Sequence, residues 1–327
     1  MDMVSYPTMI LNHAIVYRQR GMSSSSRRRW PGRGQFGRWI LLLSLAMSLA
    51  GGSSALAAGQ GSIQQDAERK LVTLSDGQGQ LTLRLNYYGR CVLDQVIVRG
   101  REVEATSGVD SGISLAGHWI TTQSDLATPR VAISKDTLTV TQIVFGQPGS
   151  EIQESWQFTV KADRIVWRIT RNYSKATTLE DSAFPEWDFR TMATWTGGML
   201  DDGGVVWNKY LETPNATYGA HAGAVTFWNR EQHDGLRISA TLPKELHGTV
   251  RFSHQKNDVF SFNFVASDGE LKPKHDLRRF LGDRQDLWAP FPAGAGEVSG
   301  EFALQALDYD QAYNRGNFQG LDGGSVR

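Results

Sequence analysis

The chain has 327 residues, 40% of them hydrophobic and 21% charged, with 34 basic residues against 34 acidic ones. That balance leaves no electrostatic case for nucleic acid or anionic lipid, and one cysteine, Cys91, excludes an intramolecular disulfide. Stability must therefore come from a large apolar core, which a chain of this length can build.

Residues 1–57 read as a secretory signal peptide. Arg27, Arg28, Arg29, Arg33 and Arg38 form a basic region, an apolar run follows from Trp39 to Ala50, and small residues lead to a cut after Ala57. The apolar run falls well short of the ~20 residues that span a bilayer, so no membrane span remains after cleavage. Ser26-Arg27-Arg28-Arg29-Trp30 also has a twin-arginine look, and Met22 is an alternative start to Met1. The expected destination is secreted or periplasmic. Seven arginines and one aspartate leave with the signal, so 27 basic residues then face 33 acidic ones, a net of about −6.

Residues 58–70 read as a flexible N-terminal segment, and residues 71–307 as a single β-domain. Period-two alternation marks strands at Leu81–Leu85, Val92–Val98, Thr137–Phe145, Ile152–Lys161 and Arg164–Arg171, with Lys161–Arg164 as a tight hairpin turn. It resumes at Ala224–Trp228, Leu236–Thr241, Gly248–Ser253, Val259–Val265 and Glu297–Leu307. Cys91 sits in an apolar strand-like run and reads as a buried thiol. Pro273 and Gly282 bracket a short helix at Lys274–Leu281. About fifteen strands with almost no helix predict an all-β fold, a large two-sheet antiparallel sandwich with a short C-terminal helix, more than a sandwich of ~100 residues uses. Asp308–Asn314 can open a helix. Residues 308–327 read as a linker or the start of a further domain, because Tyr309, Tyr313, Phe318 and Leu321 suit a disordered tail poorly.

Chemistry concentrates between Phe184 and Trp228. Trp187, Trp195, Trp207 and Trp228 lie there among Glu186, Asp188, Asp201, Asp202 and His221. Aromatic faces pack on the C–H side of a pyranose and carboxylates accept its hydroxyls, so these residues, Trp228 aside, are the candidate carbohydrate contacts. Four tryptophans in a β-protein read equally well as core. Alternation along a strand places Glu186 and Asp188 on one face, about 6–7 Å apart, and Trp187 on the other. That spacing suits a catalytic acid pair, and it suits a solvated strand face too. Asp201-Asp202-Gly203-Gly204 reads as a turn, with a calcium-binding turn as an alternative. His221, among small residues, is a candidate general base or sugar contact, or a loop histidine without a role. No nucleophile elbow, His-Glu-x-x-His or phosphate-cradling loop occurs, so catalytic residues stay unassigned, and no metal or cofactor is expected.

A secreted antiparallel sandwich of this size, a short helix near its end and an aromatic–acidic connector resemble the N-terminal domain of the six-hairpin glycosidases. The resemblance covers Leu71 to about Leu307. It implies a galactose-mutarotase-like supersandwich ahead of an (α/α)6 catalytic barrel, with residues 307–327 as the linker and first barrel helix. The chain would then bind carbohydrate at the domain interface and be inactive alone. Its partners would be a saccharide substrate and the barrel of the parent glycoside hydrolase. Two alternatives stay open: a stand-alone sugar-binding module, and an aldose-1-epimerase-like isomerase, for which His221 and Glu186 are the nearest residues.

Overall fold

Strands with one wet face can bury the other only by pairing sheets. In the computed structural model, which describes residues 59–201, 217–220, 223–242, 247–254, 258–267 and 291–314, two large antiparallel sheets do so. The first runs in the order β1 (Ser62–Asp66), β2 (Leu71–Ser75), β3 (Leu81–Asn86), β4 (Val92–Val98), β6 (Glu104–Leu115), β13 (Asp181–Phe189), β19 (Phe260–Ser267), β18 (His247–His254) and β15 (Thr217–Ala220). Short β5 (Arg101–Glu102) pairs with β4, and β7 (His118–Thr121) with β6. The second sheet runs β14 (Gly197–Leu200), β16 (Ala224–Asn229), β17 (Asp234–Thr241), β21 (Gly296–Asp308), β11 (Ile165–Tyr173), β10 (Ser150–Val160), β9 (Thr137–Gln147) and β8 (Arg130–Ser134). A ribbon pairs β12 (Thr177–Leu179) with β20 (Phe291–Ala293).

The core lies between the two sheets. Leu74, Leu83 and Val96 of the first join Val140, Trp156, Phe158, Trp167 and Phe302 of the second in one buried cluster. Trp167 packs edge-on to Trp156 at 4.8 Å and stacks on Phe158 at 5.2 Å, geometries that aromatic pairs favour. Cys91 is fully buried, as its apolar surroundings imply. Polar groups also tie the sheets together. Arg101 on β5 grips buried Asp234 on β17 with two hydrogen bonds of 2.6 and 2.8 Å. Arg171 on β11 reaches Ser182 and the Ala183 carbonyl on β13.

Each strand read from alternation coincides with an observed one to within a few residues, and Lys161 N–H donates to the Arg164 carbonyl across the expected hairpin. The segment 58–70 differs from the expected flexible stretch: residues 62–66 form β1, paired in register with β2. Residues 309–314 are helical, as Asp308–Asn314 suggested. The Gln311 N–H donates to Asp308 Oδ1 at 2.8 Å while the Gln311 side chain accepts from the Asp308 N–H, a reciprocal cap. The signal peptide (1–57), the Lys274–Leu281 helix, residues 315–327 and Asp202, Trp207 and His221 lie outside the described residues. Among the described residues no helix is long and apolar enough to cross a membrane.

Candidate functional site

The alternation of β13 sorts its side chains between two environments. Trp187 and Phe189 point into the core, whereas Glu186 and Asp188 share the outer face, half-buried. Register then adds a third carboxylate. Asp110 of β6 stands opposite Glu186, and Ser261 of β19 stands opposite Asp188. Residues opposite one another across an antiparallel pair share a face, with Cβ atoms about 4.5–5.5 Å apart. Asp110, Glu186 and Asp188 therefore form one acidic patch on the outside of the first sheet.

Hydroxyls and an amide fix this patch. Ser107 Oγ and Ser261 Oγ donate to the two oxygens of Asp188, at 2.6 and 2.5 Å. Gln123 Nε2 donates to the Ser107 carbonyl at 2.5 Å and its side chain also bonds Asp110, as does that of Thr121. Burial pushes the Asp110 carboxyl up to about 7, and the charge on Asp188 adds to the rise. The bonds from Thr121 and Gln123 oppose it only partly. Among the described residues no group of three or more His, Cys, Asp and Glu is placed to hold a metal ion.

Sequence reasoning missed Asp110 because β6 does not alternate. Gly108, two residues before it, has φ +78, where a non-glycine residue is strained. A Cβ there would sit 2.5 Å from the Leu93 carbonyl oxygen of β4. The one usable signal was an acidic residue following a glycine in a run of small residues, too common to single out.

The other expected contacts fall elsewhere. Trp187, 1% exposed, stacks on Phe189 at 6.3 Å. Trp195, also 1% exposed, stacks on Phe227 at 5.7 Å, and the Arg101 guanidinium covers it at 4.8 Å. Neither ring offers a face to the surface: inward alternation buries the first, and the Arg101–Asp234 clasp seals the second. Their reading as core is the one the packing bears out. Asp201 is gripped by Arg237, whose Nη1 donates to Oδ1 at 2.6 Å and whose Nη2 meets Oδ2. Trp228 stays half-buried on the surface, edge-on to Tyr313 at 5.6 Å.

No protein-family model and no curated protein matches the chain. Several solved structures are similar to it. A galactose mutarotase-like protein from Lactobacillus casei is 9% identical, with 76% of this chain and 100% of that one covered and a TM-score of 0.43. A GH36 alpha-galactosidase from Geobacillus stearothermophilus is 10% identical over 77% of this chain and 42% of that one, with a TM-score of 0.42. A 4-alpha-glucanotransferase from Thermococcus litoralis is 7% identical over 76% of this chain and 40% of that one, with a TM-score of 0.45. Sandwich folds host unrelated functions, so the chemistry has to come from this chain's own side chains.

Proposed function

We propose that the chain binds carbohydrate through the outer face of β6, β13 and β19. The observation that carries this is the row of carboxylates formed by Asp110, Glu186 and Asp188, with Asp188 held by two serine hydroxyls. A polyol offers many hydroxyl donors in fixed directions, and a fixed set of carboxylate acceptors pairs with them. The same charges repel phosphates and nucleic acids, in line with the acidic balance of the chain after residue 57. The test is an NMR titration of the protein with neutral oligosaccharides that follows the backbone amides of β6, β13 and β19, comparing it with the Glu186→Gln/Asp188→Asn variant. Binding that weakens at least tenfold in the variant supports the proposal.

A specific observation favours a second reading, an aldose-1-epimerase-like isomerase. With its pKa raised to about 7, Asp110 stays largely protonated below neutrality and can serve as an acid beside an ionised Asp188. An acid protonates the ring oxygen of a hemiacetal while a base takes the anomeric hydroxyl proton, which opens the ring and lets the anomers exchange. Polarimetry on α-D-glucose and α-D-galactose decides it. Acceleration over buffer that falls with pH through about 7, and is lost in Asp110→Asn, fits the isomerase.

The wider setting is part of the proposal: an exported glycoside hydrolase whose (α/α)6 barrel does the cleaving while this sandwich holds the saccharide. The capped helix that starts directly after β21 supports it, since a barrel of helices would have to begin there. An in-frame downstream sequence of helical periodicity is expected, and cell fractionation should find the protein outside the cytoplasm.

A further inference from the structure

The outer face of the second sheet carries a concavity of about 440 Å³, within the range of small-ligand sites. It has two rows of polar side chains. In the first, Gln153 of β10, Asn172 of β11 and Glu297 of β21 lie side by side in direct register. In the second, Ser155 of β10 stands opposite Thr170 of β11. Gln142 joins them from β9, where pairing with β10 slips between Glu154 and Trp156 and Gln142 takes φ +60. A bulge of this kind bends its strand, and here it dents the sheet. One wall is preformed: Asp125 Oδ1 accepts the N–H groups of Val144 and Ala127, and Leu126 N–H donates to the Val144 carbonyl at 2.6 Å. Of the seven polar residues in the lining, Glu154 turns its carboxylate to Arg171 and the Trp156 Nε1 in the core. Among the described residues, the side chains of the other six make no hydrogen bond or ion pair with one another or with the rest of the chain.

We infer that this concavity is a second carbohydrate site, separate from the acidic face of the first sheet and independent of it, and sized for a mono- or disaccharide. Three amides supply donors and acceptors together, two hydroxyls supply either, and Glu297 supplies one charged acceptor. A neutral polyol needs that mixture. The lining holds no lysine or arginine to select an anion and no aromatic ring to select an apolar ligand. Val144 and Ala127 give it a small apolar patch for the C–H face of a ring. The first row crosses four strands from Val144 to Glu297, about 14 Å at the usual inter-strand spacing.

The experiment is an NMR titration of the full chain with maltose, lactose, cellobiose and xylobiose, following side-chain amide signals. At least one sugar should shift the Gln142, Gln153 and Asn172 amides saturably. The Gln153→Ala/Asn172→Ala variant removes two neutral hydrogen-bonding partners and should weaken that binding about tenfold. Glu186→Gln/Asp188→Asn should leave it unchanged, which separates this site from the acidic face. Inorganic phosphate should give no shift. The inference is overturned if no sugar moves these signals, if the Gln153/Asn172 variant binds as before, or if phosphate shifts them equally.

Discussion

Arg171 stands on the second sheet, yet its five N–H donors serve both. Nε meets Glu154 at 2.6 Å, Nη1 meets Tyr173 and Ser182, and Nη2 meets Ser111 and the Ala183 carbonyl. The pair with Glu154 is fully buried, at 1% and 0% side-chain exposure. Trp156 Nε1 adds a bond to the other Glu154 oxygen at 2.7 Å. A buried pair with every donor engaged costs little to keep and much to break, because losing one partner strands a charge out of water. Arg171→Met should therefore destabilise the protein by about 3–5 kcal/mol in urea unfolding. The Glu154→Gln/Arg171→Met double variant should cost clearly less than the two single changes added together. Additive costs would mean the pair is not coupled. Cys91 obeys the same logic with the opposite chemistry. Burial, with the nearby charges of Asp125 and Glu154, pushes its thiol well above the ordinary range. A thiol so disfavoured as thiolate should ignore Ellman's reagent in the folded protein and react fully once it unfolds.

Strand β6 shows at the level of an element what alternation hides. It carries Asp110 to the functional face, but its buried and exposed positions do not alternate, and Gly108 breaks its run with φ +78. Gly108→Ala must accept a left-handed conformation, roughly 1–2 kcal/mol, and also a contact with the Leu93 carbonyl. Gly79→Ala meets the first cost without the second, since nothing lies within 4 Å of a Cβ there. Thermal unfolding should show the Gly108 variant losing more than the Gly79 variant, and equal losses would remove the packing argument. The strands legible in the sequence, such as β3 and β9 to β11, are those with one wet face, where period two survives in the residues themselves. Within β13 the same rule placed Glu186, Trp187 and Asp188 correctly. It could not place Asp110 opposite Glu186, because register between strands distant in sequence is not written in either strand alone. Nor could it foresee Arg101 covering Trp195.

Across the whole molecule, several carboxyls are held above their ordinary range by burial. Glu104 is pushed up to about 7, chiefly by burial with Glu102 adding, and Asp110 also to about 7. Asp76 and Asp125 shift the same way, again through burial first. A folded-state pKa above the unfolded value of about 4 means the folded protein holds more protons. The stability this confers is complete below about pH 4 and is lost as pH rises through about 7. Glu102, Glu151 and Asp163 shift downward, but they are exposed enough for water to screen their effect. The melting temperature should therefore fall between pH 5 and pH 7.5, and Glu104→Gln and Asp110→Asn should each flatten that fall. A melting temperature that rises over the same window would contradict the assignment.

NMR titration of the protein with neutral oligosaccharides, following the backbone amides of β6, β13 and β19 beside the Glu186→Gln/Asp188→Asn variant, tests the central claim most directly. Each lost contact to a charged carboxylate is worth about 1.5–3 kcal/mol, so saturable binding should weaken at least tenfold in the variant. Absence of any sugar binding, or equal affinity in protein and variant, would contradict a carbohydrate site on the outer face of β6, β13 and β19.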